Sequence, residues 1–138
     1  MNKIAFVDTS VILRRVLGEK GGYEGLDKFE KLYASEILRI EALRVIDRLR
    51  IQNNWPEKEV ALRIGLLTAV CLPIQMITLQ SQILRRAGEP FPTLVRTLDA
   101  IHIATALLAQ YQIDKPIIFL THDREQGIVA SAAGLQVV

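Results

Sequence analysis

The chain carries a single cysteine, Cys71, in 138 residues, so it can form no internal disulfide, and a lone thiol is at home in a reducing compartment. Between Val70 and Leu72, Cys71 is expected in the core. Histidine is as scarce: His102 and His122 are the only two, and no His-x-x-x-His or Cys-x-x-Cys spacing offers the start of a zinc site. Charge of one sign is missing too. With 17 Lys and Arg against 15 Asp and Glu, the net charge of +2 excludes the strong basic field of a non-specific duplex binder. Arginines such as Arg14, Arg15, Arg39, Arg85 and Arg86 remain as local patches or solvated helix faces. No apolar run reaches the roughly 20 residues that cross a bilayer, and the run after Lys3 stops at Asp8, short of a signal peptide's hydrophobic segment. A cytoplasmic protein is expected.

What is present is hydrophobicity: half of the residues are apolar, enough for one compact domain over 1–138 with a sizeable core. Strand-like runs are expected at 3–7, 70–77, 117–121 and 135–138, the second at a sheet edge because Pro73 lacks a ladder donor. Helices are expected at 11–17, 26–33, 37–50, from about 56, and at 79–86, 93–111 and 123–133. Thr9, Ser10 and Ser35 stand at cap positions, and Gly134 stands as a C-terminal stop. Strands alternating with helices predict an α/β fold, a three-layer α/β/α sandwich around a mostly parallel sheet of four to five strands. Gly18-Glu19-Lys20-Gly21-Gly22 lacks the spacing and the Lys-Ser/Thr ending of a P-loop and reads as a connector.

Four acids stand where a fold has little use for charge. Asp8 and Asp123 lie just beyond the ends of apolar strands, in the region where parallel sheets bind ligands. Glu41 falls within or beside the apolar stripe of the 37–50 helix, and Asp99 opens the most apolar helix of the chain. Each has a plain structural explanation: Asp8 and Asp123 as helix caps, Glu41 as an ion pair with Arg44, Asp99 as a first-turn acid facing the helix dipole. All four nevertheless map to one predicted end of the sheet or to helices that face it. Carboxylates gathered without histidine or cysteine suit hard cations, Mg²⁺ or Mn²⁺ rather than zinc, and phosphodiester hydrolysis is the chemistry such a site serves. His102, alone on an apolar helix, reads as a core residue.

Val7-Asp8-Thr9-Ser10, Ser35 with Glu41, Arg96-x-Leu98-Asp99-Ala100-Ile101-His102-Ile103-Ala104-Thr105-Ala106, Leu120-Thr121-x-Asp123-Arg124 and Ala133-Gly134-Leu135 occur in the order found in PIN-domain ribonucleases, which the chain resembles from Asp8 to its end. Size and layout look most like the VapC-type toxins of toxin-antitoxin pairs. The resemblance implies a PIN-like fold and a metal-dependent endoribonuclease. Asp8, Asp99 and Asp123 would be its Mg²⁺ or Mn²⁺ ligands, with Glu41 completing the set and orienting the attacking water. It further implies Thr9, Ser10 or Thr121 as hydrogen-bonding support, and an RNA substrate that Arg96 and Arg14 would contact. A small antitoxin as partner and a homodimer belong to the same implication; residues such as Leu62, Leu66 and Leu67 would serve either a dimer face or the core. His122 departs from the aromatic common at its position. The alternative function is a catalytically inactive PIN module that binds RNA or protein. An aspartyl phosphatase would want an acid where Ser10 stands.

Overall fold

The computed structural model describes residues 3–138. Its sheet has five parallel strands: β1 (Ile4–Val7), β2 (Lys31–Ser35), β3 (Ile74–Ile77), β4 (Ile117–Leu120) and β5 (Gln136–Val137), in the order β3-β2-β1-β4-β5. The central strands β1 and β4 are buried along their whole length, as strands covered on both faces must be. Side chains alternate between two cores. Ala5, Val7, Leu32, Ala34, Ile118 and Leu120 face a layer of α1 (Thr9–Val16), α2 (Ile37–Gln52) and α3 (Glu57–Cys71). Ile4, Phe6, Tyr33, Ile117 and Phe119 face α5 (Thr97–Ile113) and α6 (Arg124–Ala132). The short α4 (Ser81–Ala87) packs Ile83 with Ile101 and Ala104 of α5 and with Ile37 of α2. The chain is thus a three-layer α/β/α sandwich.

The expected helix over 26–33 is a correction. Only a 3₁₀ turn, Leu26–Lys28, forms there, and the chain then enters β2, which adds a strand to the four expected runs. Leu32 and Ala34 go to one core and Tyr33 to the other, while both ladder edges of β2 are taken by β1 and β3, so tertiary pairing overrides the local pattern. Smaller shifts have local causes. α3 runs through to Cys71, so β3 starts after Pro73, at the predicted sheet edge. α5 begins at Thr97 instead of residue 93, with Arg96 in extended backbone at its N-cap. Glu36, not Ser35, occupies the cap position of α2, although Ser35 Oγ still accepts from Ile37 N at 3.3 Å. Cys71 is only partly buried, its neighbour Leu72 is 79% exposed, and of the three leucines on α3 Leu67 is core while Leu62 and Leu66 are exposed. Among the described residues no helix is long and apolar enough to cross a membrane.

Candidate functional site

The strand order carries the chain from β1 outward to β2 and β3, then back across β1 to β4. The helices that follow β1 and β4, α1 and α6, therefore lie on opposite faces of the sheet. A crevice must open between these two strand ends, and Asp8 and Thr121-His122-Asp123 are the residues that border it.

Asp8 is 3% exposed. Its backbone N–H extends the β1–β4 ladder to Leu120 O at 3.0 Å, and it holds the N-cap position of α1 without making a side-chain cap bond. Thr9 and Ser10, expected as caps, are instead the first two residues of α1, and their hydroxyls turn inward. Ser10 Oγ donates to Asp8 Oδ2 at 2.7 Å and Thr121 Oγ1 donates to the same oxygen at 2.9 Å. Each hydroxyl also accepts from the backbone leading to α6: Ser10 Oγ from His122 N at 2.9 Å, Thr121 Oγ1 from Asp123 N at 3.0 Å. Asp123 does cap its helix, with Oδ1 accepting from Glu125 N at 3.0 Å and Gln126 N at 3.2 Å.

Glu41 does not pair with Arg44. Arg44 and Arg50 both reach Asp47, each at 2.7 Å, on the outer face of α2, whereas Glu41 lies on its inner face. There Glu41 Oε1 accepts from Thr9 Oγ1 at 2.8 Å and contacts His102 Nε2. His102 Nε2 is also 3.1 Å from Thr9 Oγ1 and 3.8 Å from Asp8 Oδ1. Burial alone would raise the Glu41 carboxyl, but the hydrogen bonds from His102 and Thr9, joined by the charge of His102 whenever that ring is protonated, outweigh it and hold the group below the ordinary glutamate range. His102 is fully buried, as a core residue should be, yet it touches two members of the site, which the sequence reading missed. One signal was available: His102 follows Asp99 by three residues and shares its helix face.

Asp99 sits in the first turn of α5, partly buried. Its carboxyl is pushed up to about 6, first by burial, then by the negative charges of Asp8, Asp123 and Glu41, with His102 opposing. The four acids thus share one electrostatic neighbourhood. Arg96 is exposed one residue before α5, and Arg14 is engaged by Gly21 O at 3.4 Å and Glu19 at 3.9 Å.

Among the described residues, no group of three or more histidine, cysteine, aspartate or glutamate side chains is arranged to hold a metal ion as it stands. The donors nevertheless fit a hard cation in kind. Within the described residues, every protein hydrogen bond to Asp8, Glu41 and Asp123 falls on one oxygen of each, leaving Asp8 Oδ1, Glu41 Oε2 and Asp123 Oδ2 as unshared carboxylate oxygens beside Asp99.

Asp8 and Asp123 thus border the topological switch point of a parallel α/β sandwich, and Asp99 and Glu41 belong to the same electrostatic neighbourhood. Residues 5–131 match the family model of the PIN domain, and the chain belongs to that family. Among solved structures it is similar in fold to a chain of VapBC2 from Rickettsia felis bound to a DNA fragment from their promoter. The identity is 12%, the TM-score is 0.70, and the match covers 98% of this chain and 97% of the other. No curated protein matches the chain in sequence.

Proposed function

We propose that the chain is a metal-dependent endoribonuclease that hydrolyses RNA phosphodiester bonds, and that it acts as the toxin of a toxin-antitoxin pair. The observation that carries the reading is the convergence of Asp8, Glu41, Asp99 and Asp123, three of them pinned through one oxygen with the other left unshared, in a PIN-family chain. These four residues would hold Mg²⁺ or Mn²⁺. When bound, such a cation polarises a phosphoryl oxygen, lowers the pKa of water and stabilises charge on the leaving oxygen.

The protein's own residues supply position and proton handling. Glu41, kept ionised by His102 and Thr9, orients the attacking water through Oε2 and accepts its proton as the water oxygen bonds to phosphorus and the P–O ester bond breaks, the departing ribose oxygen taking a proton from solvent. Ser10 and Thr121 fix the rotamer of Asp8, so its free oxygen does not wander. Arg96, exposed beside the turn that bears Asp99, contacts the RNA backbone. The likeness of the fold to a VapBC2 chain supports a small antitoxin as partner. We expect a homodimer, which light scattering of the purified protein measures.

The test is cleavage of a mixed single-stranded RNA panel with Mg²⁺ or Mn²⁺, beside EDTA and Asp99→Asn. Metal-dependent cleavage that disappears with EDTA and in Asp99→Asn supports the proposal. The alternative is an inactive PIN module for RNA or protein binding. RNA left intact across the panel, with no heat of Mg²⁺ binding, selects that alternative.

A further inference from the structure

His102 is the least explained residue of the site. A histidine without exposed surface, in a helix whose neighbours Ile101, Ile103 and Ala104 are all core, carries a cost unless its nitrogens are used. Only one is: among the described residues Nδ1 has no hydrogen-bond partner, while Nε2 meets Glu41 Oε1 and lies 3.1 Å from Thr9 Oγ1. The ring is otherwise held by packing, edge-on to Phe6 with centroids 6.4 Å apart, and Phe6 stacks in turn on Phe119 at 5.6 Å. β1, β4 and α5 therefore fix the ring, and the ring fixes Glu41 of α2, a helix of the opposite layer.

The hydrogen positions follow from the partners. Glu41 Oε1 already receives the Thr9 hydroxyl proton and, as a carboxylate, has none of its own to give; the imidazole must donate from Nε2. In the neutral ring this leaves Nδ1 bare. A bare acceptor is also the less costly atom to leave without a partner in an apolar wall.

We propose that His102 is a positioning residue for the nuclease reaction: as the Nε2–H tautomer it clamps Glu41 through Oε1 and, with Thr9, aims Oε2 at the space bordered by Asp8 and Asp99. The proposal rests on the nuclease reading for its chemistry, but the clamp itself exists without metal or RNA. It also explains why Glu41 leaves one oxygen unshared: Oε1 is spent on His102 and Thr9, and Oε2 is left to the site.

Two measurements test it. Long-range ¹H–¹⁵N spectra of the metal-free protein should show the His102 ring protonated at Nε2; a neutral ring protonated at Nδ1 overturns the clamp. Mn²⁺ binding is then followed by calorimetry for wild type, His102→Phe, His102→Gln, Glu41→Gln and the His102→Phe/Glu41→Gln double variant. Losing the clamp should weaken Mn²⁺ about 10–100-fold, as loss of a group that orients a ligand does. His102→Gln, which keeps a donor near Nε2, should recover most of that affinity, and His102→Phe should cost nothing further once Glu41 is Gln. A Phe variant that binds Mn²⁺ like wild type, or a loss that adds fully to that of Glu41→Gln, refutes the positioning role. If His102→Phe does not fold, the ring spectrum and the Gln variant decide alone. Wild type that cleaves no RNA defeats the nuclease reading, whereas the tautomer and the double-variant comparison still judge the clamp.

Discussion

Replacing Asp99 by Asn should stabilise the protein in the absence of metal and remove its activity. The carboxyl is raised from 3.8 to about 6 because burial and three neighbouring acids oppose its charge. At 1.36 kcal/mol per pKa unit, ionising it in the folded chain costs at most about 3 kcal/mol, and partial exposure and salt reduce this to about 1–2 kcal/mol. The folded state binds the Asp99 proton more tightly than the unfolded state. This stabilising contribution is therefore full below pH 3.8 and is lost as pH rises through about 6. Asn pays no such cost. For a chain of this size about 1–2 kcal/mol corresponds to a rise in Tm of about 3–7 °C, level above pH 6 and shrinking toward pH 4. Differential scanning calorimetry with EDTA, from pH 5 to pH 8, measures it. Saturating Mn²⁺ should reverse the order, since wild type gains about 2.7 kcal/mol at 100 times Kd and the variant gains much less. A lower Tm for Asp99→Asn at pH 8, or a gain independent of pH, would refute the electrostatic argument.

Thr121→Val keeps the shape but removes a donor to buried Asp8 and the acceptor of Asp123 N. It should cost about 1–3 kcal/mol in urea unfolding and weaken Mn²⁺ binding as well. Leu38→Ala, at a fully buried position of α2, should cost about 2–5 kcal/mol by the same measurement with cleavage per folded molecule retained. Arg44→Ala opens an exposed pair with Asp47 that Arg50 still serves, so Tm should shift by no more than about 1 °C.

The parts of this molecule that could be read from sequence are those whose cause is local. Ile4–Val7 and Ile117–Leu120 are continuous apolar runs ended by polar residues, with Asp8 directly after the first and Asp123 three residues after the second. β2 was not readable in this way, because Leu32, Tyr33 and Ala34 become a strand only through partners 27 residues earlier in β1 and 42 residues later in β3. The partner of Glu41 was hidden for a similar reason. Arg44 is three residues away, but so is Asp47 from Arg44, and the solvent face of α2 favours that second pairing. His102 lies 61 residues from Glu41, and only the tertiary fold, which brings these two positions of α5 and α2 together, makes them neighbours.

A helix cap and a metal ligand are roles that one carboxylate can hold together. A cap engages one carboxylate oxygen: Asp123 spends Oδ1 on Glu125 N and Gln126 N and keeps Oδ2. Two hydroxyls engage one oxygen of Asp8, and Thr9 with His102 engages one of Glu41. Holding a carboxylate by one oxygen fixes its direction, lowers the cost of its charge and leaves a lone-pair face for another partner. Asp99, for which the described residues supply no such donor, is the acid whose carboxyl is forced up to about 6. Substitutions therefore divide by sign. Removing a pinning hydroxyl at Ser10 or Thr121 should lower stability and metal affinity together, whereas removing the unpinned acid should raise the first and lower the second. A site of mere caps and ion pairs would lose stability in both cases.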